Sequence, residues 1–152
     1  MKIICKHEYR GVKTSPDKPN AITKLIYDAK LFRKQRAINA LAKIAVCDLE
    51  SYVKSNPVDL ICAAPNMNHA TNMPKDVAQL VADEMKIPFK HLFVDKFNIY
   101  AKLTGKNILV IDDAIYTGKT ANHCARALVN AGAQNVVFFA FAQSKSFINK
   151  SQ

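Results

Sequence analysis

From Val58 to Phe141 the chain alternates short, almost wholly apolar runs with longer segments that repeat apolar residues every three or four positions. Runs 58–64, 107–111 and 136–141 show no regular polar face. That pattern suits strands buried on both sides rather than a half-exposed antiparallel sheet. Between the runs, Met73, Val77, Leu80, Val81 and Met85 fall on one side of a helix, as do Ala121, Cys124, Ala125, Leu128 and Val129. Parallel strands joined this way need crossover helices, so the pattern predicts an α/β fold, a parallel sheet flanked by helices. Ligand crevices of such sheets lie at the carboxyl ends of the strands. The loops after Ala64 and Ile111 therefore become the places to look for chemistry.

The rest of the chain is assigned around this core. Residues 2–5 read as a short edge strand, and residues 14–20 as a loop ending in Asn20, a good helix N-cap. Apolar spacing over about 21–54 predicts two helices or one bent helix, with Arg33, Lys34, Gln35 and Arg36 near the join and Asn56-Pro57 as the stop. Pro65 ends the strand 58–64, and a polar loop 66–72 leads into a helix that closes before Pro88. His91, Leu92, Phe93 and Val94 read as a further strand, followed by a polar, basic connection over 95–106. After strand 107–111 a helix opens at Gly118 and is capped by Gly132. The strand 136–141 then gives way to a polar tail. A length of 152 residues suits one domain, 1–152, made of a helical N-terminal part (1–56) and an α/β core (57–152).

Charge separates these two parts. The chain carries 22 Lys+Arg against 12 Asp+Glu, a net +10. Residues 1–56 hold 12 against 5 (+7), whereas residues 57–152 hold 10 against 7 (+3). The basic part suits nucleic acid, an acidic partner or a polyphosphate ligand; a solvated, lysine-rich helix face fits equally well. No apolar run approaches the roughly 20 residues of a membrane span, and the N-terminus lacks a secretory signal. The expected location is cytoplasmic, with no membrane partner. Cys5, Cys47, Cys62 and Cys124 lie far apart, without a metal-type cadence, and read as reduced, mostly buried thiols.

The densest chemistry lies in ILVIDDAIYTGKT, residues 108–120. A helix starting at Gly118 offers free N–H groups and the positive end of its dipole, and a Thr-Gly-Lys-Thr turn adds hydroxyls. Both suit a phosphate. Acids beside a phosphate site make sense if the same ligand also presents hydroxyls, and a ribose 5-phosphate unit presents both. A Walker A loop is excluded, because its first glycine would fall at Asp113. Capping of the strand end by Asp112 and Asp113 explains less of the pattern.

The segment Val110-Ile111-Asp112-Asp113-Ala114-Ile115-Tyr116-Thr117-Gly118-Lys119-Thr120 resembles the signature of type I phosphoribosyltransferases, which bind 5-phosphoribosyl 1-pyrophosphate. The wider layout is similar to the ComF-type, competence-associated members over about residues 20–145. Shared features are a helical N-terminal part and a strand ending in Cys62-Ala63-Ala64-Pro65. The resemblance implies a type I phosphoribosyltransferase-like parallel sheet flanked by helices. It also implies that Asp112 and Asp113 hold the ribose hydroxyls, that Thr117, Gly118, Lys119 and Thr120 cradle the 5′-phosphate, and that Ala64, Pro65, Asn66 and Met67 border the pyrophosphate. Magnesium would arrive through the ligand's oxygens, with no protein metal site of its own. Pyrophosphate would leave and a nitrogen nucleophile would attack an oxocarbenium-like carbon.

The chain departs from the family at several points. Tyr116 stands where some purine-salvage relatives have an aspartate near the base; a tyrosine donates a hydrogen bond but is a poor general base. The ComF-type arginine-glycine-phenylalanine-asparagine run is replaced by Asn72-Met73-Pro74-Lys75-Asp76, and the lid segment is reduced to residues 95–106. Lys96 and Lys102 could still reach pyrophosphate, and Tyr100 could cover the sugar. His69 and His123 read as exposed polar positions. Two functions follow from this reading. One is a phosphoribosyltransferase that binds 5-phosphoribosyl 1-pyrophosphate or a nucleotide. The other is an inactive relative that senses such a ligand in DNA uptake or processing, with nucleic acid on the basic N-terminal part.

Overall fold

The structure is a computed structural model that describes residues 1–10, 19–65 and 72–151. Four strands, β1 (Lys2–Ile4), β2 (Leu60–Ala63), β3 (Asn107–Ile115) and β4 (Asn135–Gln143), form one sheet in the order β1-β4-β3-β2. All three pairings are parallel. The helices are α1 (Ala21–Lys30), α2 (Gln35–Ser55), α3 (Met73–Met85), α4 (Lys119–Asn130) and α5 (Lys145–Ser151).

Local signals set the helix boundaries. Asn20 Oδ1 accepts the Thr23 N–H at 3.0 Å and caps α1. Of the two N-terminal alternatives, the structure has two helices, broken at residues 31–34, where Arg33 adopts φ +48°. Ala131 caps α4 at its C-terminus, with Gly132 directly after it.

Strand alternation builds the core on both sides of the sheet. Leu109 and Ile111 of β3, with Val137, Phe139 and Phe141 of β4, pack against α1, α2 and α3. Ile108 and Val110, with Val136, Phe138 and Ala140, pack against Ala121, Cys124 and Leu128 of α4. Phe138, Phe139 and Phe141 are fully buried, each contributing about 1.5–3 kcal/mol of apolar transfer. The basic N-terminal helices thus share a core with α3 and the sheet. Among the described residues no helix is long and apolar enough to cross a membrane.

Three expectations are corrected. β3 continues past residue 111 and takes both acids into the strand, because β4 runs beside it; Asp112 lies opposite Ala140 and Ile115 opposite Gln143. His91, Leu92, Phe93 and Val94 form no strand. The chain touches the outer edge of β2 one turn earlier, where the Ile61 N–H donates to Pro88 O and the Lys90 N–H to Ile61 O. Leu92 and Phe93 still bury their side chains in the α4-side core, which explains their apolar signal. The tail after residue 141 is not irregular, since β4 extends to Gln143 and α5 follows. The 95–106 connection is fastened to the end of α4, with the Leu103 N–H donating to Ala131 O and the Gly105 N–H to Gly132 O. Most of the loop expected at 14–20 and of the one at 66–72, including His69, lies outside the described residues.

Candidate functional site

The turn between β3 and α4 begins at Tyr116 and ends at Gly118, which takes φ +80° as the N-cap residue. Glycine offers no capping side chain there; instead Thr117 Oγ1 accepts the Lys119 N–H at 3.3 Å. The first-turn N–H groups of α4 have no intrahelical partner and carry the positive end of the helix dipole. Thr117, Gly118, Lys119 and Thr120 line a pocket of about 100 Å³, and Asp112 and Tyr116 line it with them. The end of β4 and α5 back the turn. The Ser144 Oγ donates to Tyr116 O at 2.7 Å, and the Phe147 ring lies against Gly118.

The two acids sit next to each other at the end of β3 but meet different neighbours. Asp112 turns toward the pocket of the turn. Asp113 lies beside it, where Lys30 Nζ donates to its Oδ2 at 2.8 Å. Its second oxygen accepts the Ala114 N–H at 2.8 Å, while Asp112 Oδ1 accepts the Asp113 N–H, also at 2.8 Å. Burial, and then the charge of Asp113, pushes the Asp112 carboxyl well above the usual carboxylate range. Burial also works against the charge on Asp113, but its contact with Asp112 and the Lys30 ammonium outweigh it and hold this carboxyl below its ordinary value. The two carboxyls are thus pushed in opposite directions, Asp112 up and Asp113 down.

Tyr116 is half exposed, and its ring meets Tyr9 edge-on with centroids 5.3 Å apart. The Tyr9 hydroxyl donates to the Tyr27 hydroxyl at 2.9 Å. Burial raises the Tyr116 phenol above its ordinary value, so at neutral pH it is a hydrogen-bonding hydroxyl and not a base. Tyr9, Tyr27 and Lys30 escaped the sequence analysis. Lys30 in particular reads as an ordinary basic residue in the last turn of a helix.

Ala64 and Pro65 line a larger pocket, about 290 Å³, with Lys75, His91, Asp95 and Lys96. The Ala64 N–H donates to Ile111 O at 2.9 Å, fixing this loop to the end of β3. Asn66 and Met67 lie outside the described residues. Lys96 was a sequence candidate, whereas Lys75 and His91 were not, because their lone positions carry no motif. Tyr100 is exposed. His123 packs edge-on against Phe97 with centroids 4.9 Å apart and is not an isolated surface group. Of the free thiols, Cys62 and Cys124 are buried, but Cys5 is only half-buried and Cys47 is exposed. Among the described residues no three His, Cys, Asp or Glu side chains gather as a metal cage.

No protein-family model matches the sequence, and no curated protein matches it significantly. Solved structures do resemble the fold. Adenine phosphoribosyltransferase from Saccharomyces cerevisiae aligns over 94% of this chain and 85% of its own, with 16% identity and a TM-score of 0.58. Another adenine phosphoribosyltransferase aligns over 79% and 77%, with 16% identity and a TM-score of 0.56. Leishmania donovani UMP synthase aligns over 96% of this chain but 31% of its own, so the chain spans about a third of that protein; identity is 19% and the TM-score 0.55. With its four parallel strands flanked by helices, the chain has the fold of the type I phosphoribosyltransferases.

Proposed function

We propose that the chain binds 5-phosphoribosyl 1-pyrophosphate, or a nucleotide containing ribose 5-phosphate, and transfers the phosphoribosyl group to a nitrogen nucleophile with release of pyrophosphate. One observation carries this reading: Asp112 and the turn 117–120 line the same pocket at the carboxyl end of β3. A phosphate seated on the first turn of α4 gains the helix dipole, backbone N–H groups and the Thr117 and Thr120 hydroxyls. A sugar attached to that phosphate reaches the acids at the strand end. The adjoining pocket beyond Ala64 and Pro65 holds Lys75 and Lys96, whose charges suit a leaving pyrophosphate. Tyr116 is assigned a hydrogen-bonding role beside the acceptor. The kinship to ComF-type proteins rests on the helical N-terminal part and the loop at Ala64 and Pro65.

Asp112 and Asp113 already accept from backbone N–H groups and Lys30, so magnesium, a hard ion that prefers oxygen and keeps several waters, would be held by the ligand's oxygens and not by these carboxyls. When bound through pyrophosphate oxygens, the ion supplies charge neutralisation for the leaving group. This chain's residues orient the sugar and hold the phosphate at the other end.

Calorimetric titration with 5-phosphoribosyl 1-pyrophosphate, with and without magnesium, tests the binding. Wild type is expected to bind, and Asp112→Ala to bind about tenfold more weakly, the worth of one lost polar contact. Equal heats from both proteins, or none from either, would remove the assignment. Pyrophosphate release measured against a panel of nucleobases and amines then identifies the acceptor.

A further inference from the structure

We propose that Lys30 is a positioning residue for the sugar site: from the last turn of α1 its ammonium holds Asp113 as a fixed hydrogen-bond acceptor, so that sugar recognition depends on the N-terminal helices. This inference rests on the ribose-phosphate reading above. The two residues are 83 positions apart in sequence, yet Lys30 Nζ and Asp113 Oδ2 lie 2.8 Å apart. The contact is shielded, with 35% of the lysine side chain and 13% of the aspartate side chain exposed.

Both oxygens of Asp113 are engaged, Oδ2 by Lys30 and Oδ1 by the Ala114 N–H. That arrangement fixes the side-chain rotamer. An ionised carboxylate has about four acceptor positions, so lone pairs remain for a sugar hydroxyl. The charged and titratable groups around it are Lys30 from α1, Asp112 from the same strand and Tyr116 from the turn. Beyond Tyr116 lie the hydroxyls of Tyr9 and Tyr27, joined to each other. Take Lys30 away, and a shielded carboxyl is left beside a second carboxyl. No charge then decides which of the two carboxyls keeps a proton, and a protonated Asp113 presents a donor where the sugar needs an acceptor. Lys30 thus decides which form of Asp113 meets the ligand, without touching the ligand itself.

The test compares Lys30→Met and Lys30→Arg with wild type. Binding of 5-phosphoribosyl 1-pyrophosphate is titrated across a pH series, and the Asp113 carboxyl carbon is followed by NMR without ligand. Lys30→Met is expected to bind about tenfold more weakly at neutral pH, the loss of one charge-assisted contact. Its affinity should also fail at higher pH than wild type on acidification, and its Asp113 signal should titrate upward. Lys30→Arg should restore all three. A merely structural lysine would lower thermal stability in Lys30→Met yet leave the pH profile and the Asp113 titration unmoved, and that result overturns the proposal. Wild type that fails to bind removes the functional reading instead. The Asp113 titration then decides about Lys30: unmoved overturns it, raised upholds it. Should Lys30→Met not fold, Lys30→Gln is read by the same criteria.

Discussion

Gly118→Ala probes the turn between β3 and α4 most directly, because two separable costs meet at one Cβ. The first is conformational: Gly118 sits at φ +80°, in the left-handed region, where an L-residue costs about 1–2 kcal/mol. The second is steric. A Cβ at this position would lie 2.9 Å from Phe147 Cε2, while carbon pairs are comfortable at about 3.5–4.0 Å. The ring of α5 must yield by about 0.6 Å or more, at roughly 0.5–1.5 kcal/mol for a side chain forced off its rotamer. The sum is about 1.5–3.5 kcal/mol, or roughly 3–14 °C in melting temperature for a chain of this size. Gly105→Ala supplies the control, since it has φ +72° and nothing within 4 Å of the added Cβ, so only the conformational cost applies. Urea denaturation of both variants, each with and without Phe147→Leu, forms a double-mutant cycle. Phe147→Leu should return about 1 kcal/mol to Gly118→Ala and nothing to Gly105→Ala. Equal losses at the two glycines, or no recovery with Phe147→Leu, would refute the claim that α5 buttresses the turn.

Opposite pH slopes are expected for the two acids. Asp112 has a folded pKa above its ordinary 3.8, so its ionisation opposes folding at higher pH; Asp112→Asn should gain stability over wild type as pH rises through 3.8 and lose that gain below it. Asp113 has a folded pKa below 3.8, so its contribution is present above 3.8 and disappears as pH falls through the folded value; Asp113→Asn should be less stable than wild type at neutral pH and converge with it in acid. Parallel denaturation profiles for the two variants from pH 3 to 7 would contradict the division of roles. In the core, Phe139→Ala should cost about 3–5 kcal/mol by denaturant titration, because a fully buried ring packed on Phe141 is removed. A loss below 1 kcal/mol would contradict that packing. A thiol reagent should label exposed Cys47 first and Cys5 slowly, its thiol pushed up to about 11 by burial, while Cys62 and Cys124 react only on unfolding; rapid native labelling of Cys62 would show the sheet to be open.

Much of this fold can be read from local patterns. Apolar spacing marks α1 to α4, Asn20 marks where α1 begins, and the run 108–111 marks the first half of β3. Strand ends are less legible, since pairing decides them. β3 includes Asp112 and Asp113 because β4 offers backbone partners that far, whereas in the run 91–94 Leu92 and Phe93 bury their side chains without a neighbouring strand to complete a ladder. The 95–106 segment reads in sequence as a polar connection where the family has a longer lid segment; folding fastens it through Leu103 and Gly105 to backbone groups at the end of α4.

The sequence by itself determined the turn between β3 and α4, because strand, acids, glycine and helix start are consecutive and every constraint on them acts within a few residues. It also determined that the sheet is parallel, since buried runs separated by helices leave no other economical connection. Tertiary structure alone decided what each acid meets. Only folding brings Lys30 onto Asp113 across 83 residues, seats Tyr9 against Tyr116 and leaves Asp112 facing the turn. The physical reason is range: local propensity acts over single turns and strands, whereas a carboxylate's charge and orientation depend on whichever groups the packed core places within a few ångströms.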